Sequence, residues 1–128
     1  MIDPIFQSGN YQIATRLLDA SALRQQAIAA NIANAETPGY RRLDIAPDFV
    51  AQLKASIVDG KPSPATPGLK PTLAADPHAR SVRPDGNSVE VEHELIAMNR
   101  NAVEYEFLSE VVTRNIKQLK LAITGRSI

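Results

Sequence analysis

The sequence predicts a mainly α-helical fold, in which long N- and C-terminal helices pack against each other as a coiled-coil-like hairpin. Apolar and small residues recur at heptad-like spacing at both ends of the chain. Of the nine prolines, Pro4 stands alone in the first 37 residues, eight lie within 38–84, and none follows. Proline removes a backbone donor and clashes with the preceding turn of a helix. We therefore expect a single domain over 1–128, with an irregular proline-rich middle between two helical ends.

The N-terminal helix is predicted over residues 10–36. Apolar or small residues recur there in steps of three, four and seven: Ala14, Leu18, Ser21, Ile28, Ile32 and Ala35. Small residues in such a stripe allow a second helix to approach closely. The helix should stop at Thr37, because Pro38 disfavours helical backbone in the residue before it, and Gly39 permits a sharp turn.

The middle of the chain, 37–86, is predicted to be irregular, with a short helix near 47–57. Pro47 fits the first turn of that helix. Three apolar residues fall on one side of it: Phe49, Leu53 and Ile57. The proline-rich stretch 59–71 is expected to form a loop, and the weak alternation within 72–82 could form a short extended segment.

The C-terminal helix is predicted over residues 87–124, with Asn87 as its N-cap and Glu90 completing a capping box. Its main apolar stripe advances in steps of four and three through Val91, Leu95, Met98, Ala102, Tyr105, Ser109, Val112, Ile116, Leu119 and Ile123. A second row widens this apolar face: Ile96, Val103, Phe107 and Val111. A helix of this length with a 3.5-residue period is typical of coiled coils.

Nothing in the sequence supports catalysis. Fourteen basic and fourteen acidic residues cancel, there is no cysteine, and the two histidines, His78 and His93, stand apart. Nucleotide-binding and nucleophile motifs do not occur. We therefore predict no enzymatic activity, no cofactor, no metal, no nucleic acid partner and no small-molecule substrate. The first residues lack the basic and apolar regions of a cleavable signal peptide, so none is expected.

The long apolar stripe allows two interpretations. In the first, the terminal helices simply form an ordinary two-helix core. In the second, the C-terminal stripe is longer than one partner helix can cover, so that other copies of the chain complete it. The lengths of the two helices favour a combination of both.

The segment 22–42 resembles the N-terminal signature of bacterial flagellar axial proteins, the family of rod, hook and hook-associated subunits. The resemblance is carried by a helix containing Leu and Arg, an Asn-x-x-Asn pair and a closing Thr-Pro-Gly-Tyr: Leu23, Arg24, Asn31, Asn34, Thr37, Pro38, Gly39 and Tyr40. The short length, the uninterrupted "ETPGY" and the lead "GNSVEVEHEL" into the last helix are most similar to the B-type proximal rod subunits.

This resemblance implies a structural subunit of the flagellar basal-body proximal rod, exported by the type III route without a cleavable signal peptide. Such subunits polymerise through their terminal helices into the periplasmic drive shaft that serves motility. The implied partners are other copies, other rod subunits, the rod adaptor at the membrane ring and the export gate. The alternatives are a C-type proximal rod subunit and a small cytoplasmic helical adaptor or chaperone.

The resemblance and the two stripes together give a set of expected assembly residues. They are Leu18, Leu23, Arg24, Asn31, Asn34, Thr37, Pro38, Gly39, Tyr40, Leu95, Met98, Tyr105, Val112, Ile116 and Leu119. The apolar members should supply affinity. Asn31 and Asn34 should fix the register between subunits, since a buried asparagine amide costs about 1–3 kcal/mol when left unpaired.

Overall fold

In the computed structural model, two long helices pack along each other, which confirms the predicted mainly α-helical hairpin. The structure describes residues 9–58, 61–62 and 69–125. In chain order its elements are α1 (Gly9–Ala33), β1 (Leu43–Ile45), α2 (Pro47–Ala55), β2 (Ile57–Val58), β3 (Lys61–Pro62), β4 (Leu73–Ala75) and α3 (Val91–Thr124).

Short antiparallel strand pairs organise the middle of the chain. β1 pairs with β4 in the register Leu43 with Ala75 and Ile45 with Leu73, while β2 and β3 form a separate small hairpin. β4 lies within the stretch for which the sequence suggested an extended segment. Its partner β1 has only three residues, too few for an alternating pattern to be recognised from sequence.

The hydrophobic core lies where the middle of the chain packs against α1. Ala20 of α1, Ile45 of β1, and Phe49 and Leu53 of α2 form one buried cluster. Partly buried apolar side chains pack around it, from α1, from the segment leading into β4 and from β4 itself: Ile13, Leu17, Leu23, Leu69 and Leu73. Full burial of a side chain such as that of Phe49 contributes about 1.5–3 kcal/mol. The core therefore fixes the irregular middle to α1.

α1 ends at Ala33, three residues before the predicted end at 36. The backbone then tightens, because the N–H of Ala35 donates to the carbonyl of Ile32 at 3.2 Å, and that of Thr37 to the carbonyl of Asn34 at 3.0 Å. Such bonds to the third preceding residue are typical of the last turn of a helix. They turn the chain out of the helix before Pro38.

The buried stripe of α3 differs from its main apolar stripe. The buried side chains of α3 are Glu94, Asn101, Leu108 and Leu119, whereas Leu95 and Tyr105 are each 45% exposed. The sequence pattern alone favoured the apolar residues for the contact between the helices. Polar side chains occupy much of that contact because α1 and the 37–44 segment supply hydrogen-bond partners for them.

The two ends of α3 are built differently. Gly125 ends it in the left-handed conformation, with φ of 63°, and donates its N–H to the carbonyl of Leu121 at 2.8 Å, a common way for helices to stop. At the start, Glu90 occupies the N-cap position and makes no side-chain capping hydrogen bond. The prediction of Asn87 as N-cap is therefore wrong; its side chain bonds to the turn that follows α1 instead.

Candidate functional site

The two segments that carry the family resemblance meet at one place, which we call the junction: residues 31–44 at the end of α1 and residues 83–94 before and at the start of α3. Fully buried Asn31, Asn87 and Glu94 lie in it. Chain positions about fifty residues apart are bonded directly across it. The junction therefore fixes how the terminal helices leave the middle of the chain.

Asn31 holds β1 to the end of α1 through its side-chain amide. Its Nδ2 donates to the carbonyl of Leu43 at 2.9 Å, and its Oδ1 accepts the N–H of Leu43 at 2.9 Å. Nδ2 also donates to Oε2 of Glu94 at 3.2 Å, and Oδ1 accepts the hydroxyl of Tyr40 at 3.3 Å. The amide is thus satisfied within the chain, as a fully buried polar group requires.

The neighbouring Asn34 has a different role. Its Nδ2 donates to the carbonyl of Ala30 in the preceding turn at 2.8 Å, and its Oδ1 accepts the hydroxyl of Thr37 at 3.2 Å. These bonds stay within the end of α1 and the turn that follows. The two asparagines of the motif therefore act on different parts of the structure.

A buried ion pair lies beside Asn31. Nε of Arg42 donates to Oε1 of Glu94, and its Nη1 reaches Asp44 at 3.1 Å and Asp76 at 3.0 Å. Arg24 of α1 also contacts Asp44, with Nε 3.3 Å from Oδ1. A charge taken out of water is tolerated only when it is paired and hydrogen-bonded. Arg42 thus links the start of α3 to Asp44 in β1 and to Asp76, the residue that follows β4.

The ionisation of this cluster follows from its contacts. Burial lowers the pKa of Arg42, but the hydrogen bonds and charges of Glu94 and Asp44 outweigh it, so the pKa is raised. Burial raises the pKa of Asp44, but the N–H of Ile45 at 2.7 Å and the two arginines outweigh it, so the pKa is lowered. Burial, together with the charge of Glu94, raises the pKa of Tyr40, and its hydroxyl stays a donor to Asn31.

Asn87 holds the turn that follows α1 from a distant part of the chain. Its Nδ2 donates to the carbonyls of Asn34 at 2.9 Å, Ala35 at 3.1 Å and Thr37 at 2.8 Å. Its Oδ1 accepts the N–H of Val89 at 2.8 Å. A side chain fifty residues away therefore fixes the path of the chain as it leaves α1.

Two glycines allow the segments of the junction to approach closely. Gly39 donates its N–H to the carbonyl of Asp85 at 2.8 Å. Gly86 has φ of 84°, and a Cβ added to it would lie 3.3 Å from Cα of Gly39. Ser88 completes the contact, because its N–H donates to the carbonyl of Tyr40 at 3.1 Å and its Oγ accepts the N–H of Arg42 at 2.8 Å. The turn at 37–40 is thus held by backbone as well as side-chain bonds.

Halfway along the helix pair, a second polar contact fixes α3 against α1. Nδ2 of Asn101 donates to the carbonyl of Ser21 at 2.9 Å and to Oε1 of Gln25 at 3.1 Å. Oγ of Ser21 donates to Oδ1 of Asn101 at 3.0 Å. Since these side chains pair only in one relative position of the helices, they set the axial register of α1 against α3.

The expected assembly residues do not form one surface. Asn31 and Leu119 are buried, Leu23 packs against the core cluster, and Leu95 and Tyr105 are half exposed. Five of the others are partly buried, Leu18, Arg24, Met98, Val112 and Ile116, while Thr37, Pro38 and Gly39 are exposed. Asn34 and Tyr40 are partly buried within the junction.

The sequence patterns did not assign these contacts to the residues that build them: Ser21, Arg42, Asn87, Glu94 and Asn101. Ser21 was expected only in the stripe of the N-terminal helix, and Asn87 only as an N-cap. A signal was present for three of them, because Asn87, Glu94 and Asn101 follow one another at intervals of seven residues. This is a heptad row made of polar side chains, and a search for apolar rows passes over it. For Arg42 no local pattern exists, since its partners are distant in the chain.

The polar and charged side chains of the junction have a structural role, because they bond distant segments of the chain to one another. A cleft of about 260 Å³ opens beside it, between Arg42, Asp76, Arg80, Glu90 and His93. Arg42 and Asp76 in its wall pair with each other, as do Glu90 and His93. In residues 9–58, 61–62 and 69–125, no three His, Asp or Glu side chains are placed to hold a metal ion. No helix in this part of the chain is long and apolar enough to cross a membrane.

Comparison with known proteins identifies the family. The model of the family described as "Flagella basal body rod protein" matches residues 12–41. The chain is similar to the flagellar basal body rod protein FlgB of Salmonella typhimurium, with 32% identity over 125 residues, covering 84% of this chain and 88% of that protein. The FlgB proteins of Escherichia coli K12 and Proteus mirabilis are each 30% identical, over 78% and 93% of this chain and 82% and 95% of theirs. The chain thus belongs to the flagellar basal body rod proteins, of the FlgB type, and is a structural subunit of the rod.

Proposed function

We propose that this chain polymerises through its terminal helices into the proximal part of the rod, which acts as the periplasmic drive shaft of the flagellum. Its partners in this proposal are further copies of itself, other rod subunits, the rod adaptor at the membrane ring and the export gate. Membership of the family supports a place in the rod. The way in which the chain assembles there is inferred from the faces of α3.

The observation that carries this proposal is an exposed apolar row on α3, away from α1. We call it the outer row: Ile96, Val103 and Phe107, which are 51%, 69% and 63% exposed. At 100° per residue it lies about 140° around the helix axis from the buried stripe of Asn101 and Leu108. Exposed apolar surface of this kind marks contacts with other proteins. α3 therefore has two sides that can pack, the buried stripe and the outer row, and α1 covers only the first.

The distribution of polar side chains supports the same proposal. The contact within the chain uses Asn31, Glu94 and Asn101, whose groups pair specifically, while large apolar side chains remain outside. In this proposal the asparagine of the signature fixes the shape of the subunit. The apolar outer row then supplies affinity between subunits, at about 25 cal/mol per Å² of apolar surface buried.

Replacement of the chromosomal gene tests this function. Deletion should abolish swimming and leave basal bodies without a complete rod, and the intact gene should restore both. Val103→Glu should fail to restore them, because it places a charge in the centre of the outer row. Gln52→Glu, which places the same charge at an exposed position of α2, should restore both. Swimming of the deletion strain, or basal bodies without this chain in the intact strain, would contradict the proposal.

We also propose that the chain reaches the rod by the flagellar type III route. Mass spectrometry of purified basal bodies should then find peptides of this chain. In a strain without the export gate, the chain should remain in the cytoplasm. A cytoplasmic adaptor, the alternative function, would instead be absent from basal bodies in both strains.

A further inference from the structure

One ring nitrogen of His93 lies between two groups that make opposite demands on it. His93 stands in the first turn of α3, and its side chain is 48% exposed. Its Nε2 lies 3.3 Å from Nη1 of Arg80 and 3.1 Å from Oε2 of Glu90. A guanidinium only donates hydrogen bonds, and an ionised carboxylate only accepts them. Nε2 can therefore bond to just one of these two partners at a time.

The neutral ring satisfies all the side chains of this contact when Nε2 accepts from Arg80. One nitrogen of a neutral imidazole carries a hydrogen and the other is an acceptor. Glu90 keeps a partner in this state, because its Oε1 accepts the hydroxyl of Ser81 at 2.9 Å. If Nε2 instead donated to Glu90, Arg80 would have no hydrogen-bond partner among the residues that the structure describes. The arrangement therefore favours a neutral ring with its hydrogen on Nδ1.

Protonation of the ring reverses this choice. Both nitrogens are then donors, so Nε2 bonds to Glu90, and the positive charge of the ring repels Arg80. Histidine is the side chain that ordinarily changes its charge between pH 5 and 8. The exchange of partners therefore takes place at one atom of His93, over a range of pH in which the carboxylate and the guanidinium keep their charges.

The other charged groups around this histidine lie in the walls of the cleft beside the junction. They are Arg42, Asp76, His78 and Glu94. Arg42 pairs with both of the carboxylates. That leaves His78 as the second side chain in the walls of this cleft that ordinarily changes its charge between pH 5 and 8. Any effect of pH on the contact must therefore be tested against both histidines.

The contact with His93 helps to attach the segment 77–83, which joins β4 to the junction. Two side chains of this segment reach the start of α3: Arg80, which bonds to His93, and Ser81, which bonds to Glu90. The buried asparagines and the buried ion pair of the junction bond to other groups. A change of partner at His93 therefore alters the attachment of this segment while the junction stays closed.

We propose that His93 is a proton-controlled switch for the segment 77–83. The neutral ring accepts a hydrogen bond from Arg80, and the segment is then attached to α3 at two points. The protonated ring bonds to Glu90 and repels Arg80, and the segment is then attached only through Ser81. The inference concerns a single chain, so it does not depend on the proposed assembly in the rod.

The position of the hydrogen on the neutral ring gives the first test. The ring nitrogen chemical shifts of the full chain, measured by NMR at pH 8, distinguish the two tautomers. We expect the hydrogen of His93 on Nδ1. Arg80→Ala should move it to Nε2, because Glu90 is then the partner that remains. A hydrogen on Nε2 in the original chain, or a tautomer that Arg80→Ala leaves unchanged, would overturn the proposal.

The backbone amide of Arg83 gives the second test, because its N–H donates to the carbonyl of Asn87 at 2.9 Å at the end of the segment. Its protection against hydrogen exchange is the ratio of the intrinsic rate to the measured rate at the same pH. Between pH 8 and pH 5 we expect this protection to fall about three- to tenfold, the factor that corresponds to the loss of one hydrogen bond. Equal protection at the two pH values would contradict the switch.

Three variants assign the effect to one side chain. His93→Gln can accept from Arg80 and donate to Glu90 at once, so it should keep high protection at both pH values. His93→Lys is positively charged at both and should show low protection at both. His78→Gln is the matched control and should keep the pH dependence. A pH dependence that survives in His93→Gln or disappears in His78→Gln would overturn the proposal, as would high protection in His93→Lys.

Discussion

The side-chain amide of Asn31 pairs with both backbone polar groups of Leu43, donating to its carbonyl and accepting its N–H, each at 2.9 Å. The side chain of Asn31 therefore makes to β1 the pair of hydrogen bonds that a neighbouring strand would make. This relationship explains why an asparagine is tolerated in a helix that ends two residues later. Asn31 is thus bonded within one chain, while its expected role in the register between subunits stays a prediction.

We expect Asn31→Leu to destabilise the isolated chain by at least about 2 kcal/mol, because the N–H and carbonyl of Leu43 lose their buried partner. Urea unfolding followed by far-UV circular dichroism measures the effect. Asn34→Leu is the matched control and should cost less than about 1 kcal/mol, since it loses only local bonds at the helix end. Normal stability of Asn31→Leu together with defective rod assembly would instead support the original interpretation of Asn31 as a register residue between subunits.

We expect Asn87→Ala to loosen the junction, because three carbonyls in the turn after α1 lose their shared donor. The cost should be about 1–3 kcal/mol in unfolding free energy. Hydrogen exchange should accelerate in the turn at 34–40. Asn99→Ala, at an exposed position of α3, is the control. Unchanged exchange in this turn would show that the bonds of Asn87 are dispensable.

We expect Gly86→Ala to destabilise the chain more than Gly125→Ala. Both glycines have positive φ, which costs an L-residue about 1–2 kcal/mol. Only at Gly86 would the added Cβ also meet backbone, 3.3 Å away at Cα of Gly39; at Gly125 nothing lies within 4 Å. Thermal unfolding of the two variants compares them directly. Equal losses of stability would mean that the contact between the glycines contributes nothing.

We expect Asp44 to contribute to the loss of stability in acid. Its pKa is lower in the folded chain than its ordinary value of 3.8, so at acidic pH the unfolded chain binds more protons. Its stabilising contribution is therefore complete above about pH 4 and is lost as pH falls through the folded pKa. Asp44→Asn should lower stability at pH 7 and show a weaker decline between pH 5 and about pH 2. Asp19→Asn, on the exposed side of α1, should keep the decline of the original chain, as measured by urea unfolding at each pH.

By itself the sequence determined the elements that depend on neighbouring residues. The three- and four-residue spacing set the two long helices, Pro38 and Gly39 set the break after the first, and the prolines kept long helices out of the middle. The motif at 23–40 also indicated the family, because it is a local sequence pattern. These features could be predicted because their physical causes lie within a few residues along the chain.

The tertiary structure alone decided which side of each helix faces the rest of its own chain. Periodicity shows that α3 has apolar rows, but it does not show whether a row meets α1 or another molecule. That choice depends on Glu94 finding Arg42 fifty-two residues away and on Asn101 finding Ser21 eighty residues away. Buried polar groups need partners with defined geometry, and those partners are brought together only by the fold. They placed polar side chains inside the helix pair and left Ile96, Val103 and Phe107 outside.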